Sequence, residues 1–497
     1  MLDYRPDLDP RTPGLVTDLQ DMVPSARGYK VAYGETAYTA FTYSLDGAGE
    51  TYPAKIFATR WLGSSGGILL VATNHKISIF NKISGFQDVS KGGGYSIGGG
   101  GYLWGEDSPA AWDICAFGDM IIAVNQGNAT QNRSATDLSA ATKFADLAGA
   151  PSGITCCAAQ NFAFIGGCGN WSTVTGSPDI LAWCALGDYT NWVPSPLTTQ
   201  ASYAQFNDTP GPITCVEAFR DGIVVFKGSS MYYGRYVGTG TYSPIWDFQR
   251  ISSSIGCLSH RSCVNIDRGL VFVDRNNIYL YDGSRPYPIT DGIYSLIRDY
   301  LTDGGKAMQV AYDEYNSSVW FSGVASGYIF VWDFRLNRWG KLVTTGSNSN
   351  QPTFCDTNTN YFGVGHSFGG VSNSHTNLRT LYFVQGNPFN RFTSKSSNTN
   401  VTTGIFGQRG KLSTLTRVTP HYAVRPSSIA TFNCSVSTSA TEGDLTFLGP
   451  VAMDANYRFD TLALGGTTAN CFQLSLGGIV DYELIDIEPT FVAAGTN

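Results

Sequence analysis

A strand–turn–strand unit recurs along this chain, and such a repeat leaves few folds open. It appears in GILLVATNHKISIFN (67–81), DMIIAVNQGN (119–128), NFAFIGGCG (161–169) with DILAWCAL (179–186), DGIVVFKGSSMYYGRYVG (221–238), RGLVFVDRNNIYLYDG (268–283) and SSVWFSGVASGYIFVWDF (317–334). Each unit has an apolar strand, a turn of Gly, Asn, Ser or Asp, and a partner strand rich in Ile, Tyr, Phe and Trp. Those residue types suit a pleated, half-buried surface. The first strands are near-continuous apolar runs, which predicts cover on both faces. The partners alternate, with Ile278 and Leu280 on one face and Tyr279 and Tyr281 on the other. A spacing of roughly 40–60 residues is the period of a four-stranded propeller blade. A flat sandwich accounts for the strands but not for so long a series of like hairpins. The expected fold is all-β: a β-propeller-like core of repeated antiparallel hairpins with one short helix, plus a C-terminal β domain.

The helix is expected in ITDGIYSLIRDYLTDGG, capped by Thr290 or Asp291 and ended by Gly304-Gly305. Ile293, Leu296, Ile297, Tyr300 and Leu301 form its apolar stripe, which should pack under a blade. Residues 1–50 read as an N-terminal arm and first strands, 51–400 as the propeller-like domain, and 401–497 as the C-terminal β domain. Whether that last domain packs with the N-terminal segment stays open. So does the number of blades, because pairing depends on which segment closes the ring. KGGGYSIGGGGYLWGED (91–107) reads as a surface loop, and TSKSSNTNVTTG (393–404) as a linker or long loop.

Composition narrows the function. Of the 497 residues only 14% are charged, against a usual quarter, while aromatics at 13% give ample surface to bury. That length allows two to four domains. A net charge of −7 argues against a tight electrostatic clamp on nucleic acid. No apolar run reaches the ~18 residues needed to cross a bilayer, and the acidic, Pro-rich start MLDYRPDLDPRTPG does not read as a secretory signal. The eleven cysteines are scattered and lack CxxC spacing, so they read as reduced, mostly buried small hydrophobes of a protein made in a cytoplasm.

Patterns that carry chemistry are sparse. His75, His260, His366, His375 and His421 have no HxH or HExxH spacing, so no metal site is expected. The glycines of 91–107 lack the GK[ST] ending of a phosphate loop, and GSSGG (63–67) lacks the context of a nucleophile elbow. SLDGAGETY (44–52) is similar to the Asp box of sialidase-type propellers, with one extra residue between Asp46 and Gly49 and Tyr52 in place of tryptophan. Asp boxes are structural turns, and glycoside hydrolysis needs two carboxylates close together, which these scattered acids do not identify. In YIFVWDFRLNRWGKL (328–342), Val331-Trp332-Asp333 has the dipeptide of WD40 blades without an upstream Gly-His, and the double glycine of kelch blades is missing. Trp332 and Trp339 are therefore read as packing between blades, with Asp333 and Asn337 shaping the turn. No catalytic, cofactor-binding or metal-binding residue is expected.

The order of the elements resembles the tail nozzle proteins of short-tailed bacteriophages (podoviruses), also called packaged-DNA stabilisation or tail tubular proteins. A Pro-rich arm precedes LQDMVPSARGYKVAYG (19–34), which is similar to that family's pattern N-x-(V/I)-P-x-x-x-G-(Y/F). Then come the hairpin FRDGIVVFKGSSMYYGRYVG (219–238), IGCLSHRSCVNIDRGLVFVD (255–274), the helix segment, the Asp-turn-Trp hairpin and a C-terminal β domain. Segments 83–118 and 344–400 match nothing in the family. The resemblance implies a structural virion protein, assembled in the host cytoplasm. It would form a homohexamer beneath the portal–adaptor complex, carry tail fibres or spikes, retain packaged DNA and open for ejection. Double-stranded DNA would pass without sequence-specific binding, with no cofactor and no membrane span. Six copies at −7 give −42 for the ring, which repels phosphate rather than braking it. The alternatives are a carbohydrate-binding or glycoside-hydrolysing propeller, and another virion part such as a fibre-attachment or head-completion protein.

Overall fold

The computed structural model describes residues 2–496 apart from 33–35, 45–54, 61–66, 74–75, 82–84, 96–111, 126, 138, 170, 239–243, 303–307, 315, 323–327, 344–352, 356–367, 372–377, 386–398, 408–410, 425–429, 439–444, 454–461 and 479–481. Four-stranded antiparallel meanders follow one another at 55–88, 113–146, 155–205, 213–252, 263–288 and 309–343. A seventh combines Thr353–Cys355, Phe368–Val371 and Leu378–Gln385 with Thr36–Ser44 as its outermost strand. The first strand of each meander packs on the first strand of the next. The series returns from Thr353–Cys355 to Lys55–Arg60, closing a ring of seven blades. First strands begin at 55, 113, 155, 213, 263, 309 and 353, intervals of 42 to 58 residues.

The hairpins read from sequence are the second and third strands of blades 1 to 6, blade 2 giving only its second strand, Met120–Val124. Their two-faced burial follows from side-chain alternation. In Gly222–Lys227, Ile223 and Val225 join the apolar layer between blades 3 and 4, while Val224 and Phe226 join that between blades 4 and 5. Ile278 and Leu280 likewise face one core and Tyr279 and Tyr281 another. A strand sandwiched between two blades has no wet face, hence the unbroken apolar run. The turn joining the first two strands of blade 3 puts Gln160 and Asn161 at φ of 52° and 61°, the left-handed pair that matches strand twist in a two-residue hairpin.

Both chain ends build a second body. One sheet runs, in order, Asp3–Tyr4, Leu15–Gln20, Thr399–Gly407, Cys471–Gly478, Ala430–Ser437, Leu445–Met453. The other runs Met22–Pro24, Tyr29–Val31, Tyr482–Thr496, Lys411–Val424, Leu462–Ala469, and it continues the sheet of blade 6 beyond Arg338–Val343 through the pairing of Lys341 with Met22. Segment 1–50 is thus divided, with Thr36–Ser44 in the propeller and 2–31 in the terminal body. Val16, Leu19, Val401, Leu415, Val418, Phe472 and Leu484 share one buried core with Trp332 and Trp339 of blade 6.

The helix is Tyr294–Thr302. Ile293, Ile297 and Leu301 are buried against blades 5 and 6, with Leu296 at the margin; the side chain of Tyr300 lies outside the described residues. Its capping differs from the expectation of Thr290 or Asp291. The carboxylate of Asp7, in the N-terminal arm, accepts from Ser295 N at 2.9 Å and from Ser295 Oγ. Thr290 Oγ1 instead donates to Asn277 Oδ1 at 2.5 Å, and Asp291 pairs with Arg5 at 3.2 Å. The arm supplies from outside the acceptor that a local cap would provide.

Candidate functional site: the axial channel

Where the first strands of blades 1 to 6 converge they leave an axial channel of about 700 Å³. Charged groups line it, and Lys55 and Asp113 among them bond one blade to another. Lys55 Nζ in blade 1 lies 3.2 Å from Asp113 Oδ1 in blade 2. Asp113 Oδ2 accepts from Thr155 Oγ1 and Cys156 N in blade 3, each at 2.9 Å. Thr155 Oγ1 in turn accepts from Val216 N of blade 4 at 3.2 Å. Four blades are therefore linked through one buried carboxylate. Burial pushes the Asp113 carboxyl up, but Lys55, His260 and its hydrogen bonds outweigh that and hold it below the ordinary range.

His260 precedes blade 5, in the 3-10 turn His260–Ser262, and its buried Nε2 donates to Trp112 O at 3.2 Å. Burial depresses its pKa to about 4, against the opposing pull of Asp113, so the ring is neutral at pH 7. Arg261, also lining the channel, is pushed down to about 10 by burial and stays charged. Glu217, Asp267 and Glu314 add carboxylates from blades 4, 5 and 6. Further side chains continue the stitching: Thr214 Oγ1 donates to Cys257 O at 2.7 Å, Asn265 Nδ2 to Ala218 O at 2.9 Å, and Ser262 Oγ to Met308 O at 3.0 Å. Asp113 is ionised with both oxygens occupied, and His260 is neutral and committed to a carbonyl, so neither is poised for general acid–base work. Among the described residues no group of three or more His, Cys, Asp or Glu is arranged to hold a metal ion.

None of the four residues singled out from sequence lines this channel; Trp332 and Trp339 lie in the core shared with the terminal body, and Asp333 and Asn337 flank the turn between their strands. Trp332 and Trp339 are directly paired across strands and stack with centroids 6.2 Å apart. Trp339 Nε1 donates to Ile289 O at 3.1 Å, reaching from blade 6 to the segment that follows blade 5. Asp333 Oδ1 accepts from Arg335 N and Leu336 N at 3.0 and 2.9 Å, which fixes the turn. Asn337 takes the left-handed conformation, φ 51°, and its Oδ1 accepts from Trp332 Nε1 at 3.2 Å. Burial raises the Asp333 pKa against those amide bonds.

The PSARGY turn has a comparable logic. A Cβ on Gly28 would stand 2.1 Å from Leu484 O, so only glycine lets this turn lie against Tyr482–Thr496. Tyr29, fully buried, accepts from Tyr4 N at 2.8 Å and so ties down the arm.

No spacing in the sequence singles out Lys55, Asp113 or Thr155, and His260 stands there as an isolated histidine. The available signal was Asp113 opening an apolar strand, Trp112-Asp113-Ile114-Cys115, with no turn chemistry beside it. His421 pairs with Glu488 at 3.2 Å in the terminal body. His75, His366, His375, residues 45–52 of the Asp-box-like stretch and 96–107 of the Gly-rich loop lie outside the described residues. Described helices include none long and apolar enough to cross a membrane.

No protein-family model and no curated protein matches the sequence. Two solved structures that align are YCF48 bound to a D1 peptide, at 10% identity, TM-score 0.35, over 71% of this chain and 100% of that one, and U3-55K, at 10% identity, TM-score 0.40, over 70% and 100%. These likenesses concern the β-propeller fold alone.

Proposed function

We propose that this chain is a structural subunit of the nozzle of a short phage tail, a homohexameric ring through which packaged DNA is retained and then ejected. The observation that carries the reading is how the order of elements is realised. The Pro-rich arm and PSARGY turn fold into the C-terminal body, the hairpin series forms a propeller, and the helix and Asp-turn-Trp hairpin are packed at the junction of the two. Three of the segments on which the resemblance rests, the arm with its PSARGY turn, the helix and the Asp-turn-Trp hairpin, thus share the core that joins the two bodies. A structural role for the channel is supported by Asp113, both of whose oxygens bond neighbouring blades, and by His260, whose Nε2 bonds Trp112 O.

The test is a density map of the particle's tail. Six copies around the tail axis, below the portal–adaptor complex, are expected. A copy number other than six, or a position off the axis at a fibre base, overturns the assignment. A glycan array run on the purified chain is expected to be blank; specific sugar binding without ring formation would favour the carbohydrate-active alternative.

A further inference from the structure

Blade 3 carries an apolar prong. Its third and fourth strands, Ser177–Trp183 and Ser202–Gln205, are joined by residues 184–201, where blade 6 uses only 334–337. The base of this connection is anchored: Trp192 is buried in the core between blades 2 and 3, and its Nε1 donates to Tyr189 O at 2.6 Å. Further out, Ser195 O accepts from Thr198 N, Thr199 N and Gln200 N at 3.1, 3.0 and 3.1 Å, and Leu186 N donates to Thr199 O at 3.0 Å. Gln200 takes the left-handed conformation, φ 65°, with Trp183 Nε1 donating to its backbone oxygen and Tyr236 Oη to its side-chain oxygen, each at 2.9 Å. This closely bonded turn nevertheless leaves Leu197 72%, Val193 55% and Leu186 44% exposed, and Asp188 is the only charged residue in 184–201. An apolar tip held in one shape without burying itself is preorganised for a partner. The terminal body holds a surface of matching character. Val492 is 56% exposed, and across the strands from it lie Thr414 and Thr468, whose hydroxyls bond each other at 2.8 Å. The outer strand of that sheet, Leu462–Ala469, pairs with no further strand among the described residues, and neither a charge nor a proline guards its edge. Across 411–416, 462–469 and 490–496, Lys411 is the only charged residue. Prong and sheet face do not meet within one molecule, because the terminal body continues the outer strand of blade 6, three places round the seven-blade ring from blade 3.

We propose that the blade 3 prong docks on this face of the terminal body in a second copy of the chain, burying Leu197 against the surface around Val492. The contact is head-to-tail. Each copy offers its prong to one neighbour and its sheet face to the other, from different sides of the propeller, and such a contact repeats from copy to copy until it closes a ring. Apart from the peripheral Asp188 and Lys411, no charge has to be desolvated, and depletion of charge is what marks the core of an interface. The bonded turn loses little conformational freedom on docking, which favours a contact of modest area. This inference rests on the ring proposed above and names the two surfaces that build it.

The experiment places the photo-cross-linking residue benzoylphenylalanine at position 197 of the full-length chain and illuminates it alone and on the portal–adaptor complex. The expected product has twice the chain mass and joins position 197 to a peptide from 411–416, 462–469 or 490–496 of another copy. Products confined to one chain, joined to another part of the second copy or joined only to a different protein overturn the inference. Leu197→Asp, at a side chain that lies in solvent in the single copy, is expected to leave the melting temperature unchanged and to raise the concentration needed for assembly by at least about tenfold. Assembly unaltered by that change overturns the docking inference and leaves the nozzle reading standing. A wild-type chain that stays single in both conditions overturns both.

Discussion

At the scale of single residues, stability rests on polar groups that bond neighbouring blades. Asp113→Asn removes the buried carboxylate charge 3.2 Å from Lys55 Nζ and should cost about 3 kcal/mol, read by chemical denaturation. Because the folded pKa of Asp113 is depressed, its contribution is fully present above the ordinary carboxylate pKa and is lost as pH falls through the folded value. His260 acts in a higher window. Its folded pKa of about 4 lies below the ordinary 6.5, so the unfolded chain binds the extra proton first, and stability falls as pH drops from 6.5 toward 4. The expected loss is about 3 kcal/mol across that range, and His260→Gln, which keeps a donor for Trp112 O, should flatten the slope. Persistence of the slope in that variant would contradict the assignment. Gly28→Ala should destabilise by at least about 2 kcal/mol, since the new methyl meets Leu484 O and backbone must move. The glycine and tyrosine of PSARGY were legible as a pattern, but their reason was not, because Leu484 lies more than four hundred residues away in the sequence.

Among the elements, legibility followed locality. Hairpin strands of blades 1 to 6 could be read because strand, turn and strand are adjacent and the buried faces alternate. Blade 7 could not: its inner strand spans only Thr353–Cys355, and its outer strand, Thr36–Ser44, comes from the other end of the chain. The helix stripe is legible from its period, but its cap is not, because the acceptor is the distant Asp7 rather than the local Thr290 or Asp291. Asp7→Ala should therefore weaken the helix and loosen the arm together, by about 1 kcal/mol. Hydrogen exchange at the amides of 295–298 reports it; unchanged protection there would rule out the cap. Trp339→Phe keeps the ring packing of blade 6 but orphans Ile289 O, an expected cost of about 1–2 kcal/mol.

For the whole molecule, closure is the organising fact. A propeller stacks its blades face to face, and only the last contact, between Thr353–Cys355 and Lys55–Arg60, covers the final open faces. Composition and pitch conveyed the class, while the channel chemistry was hidden because Lys55, Asp113, Thr155 and His260 meet only once the ring is closed. The body built from both termini was hidden for the same reason, since sequence separation says nothing of which distant strands pair. What the closed unit does rests on whether copies of it assemble. The most direct measurement is the solution mass of the purified full-length chain, alone and with the portal–adaptor complex. A nozzle subunit should give a species at six times the 53.6 kDa chain mass, formed alone or on that complex; a chain that stays at its single-copy mass in both conditions contradicts that role.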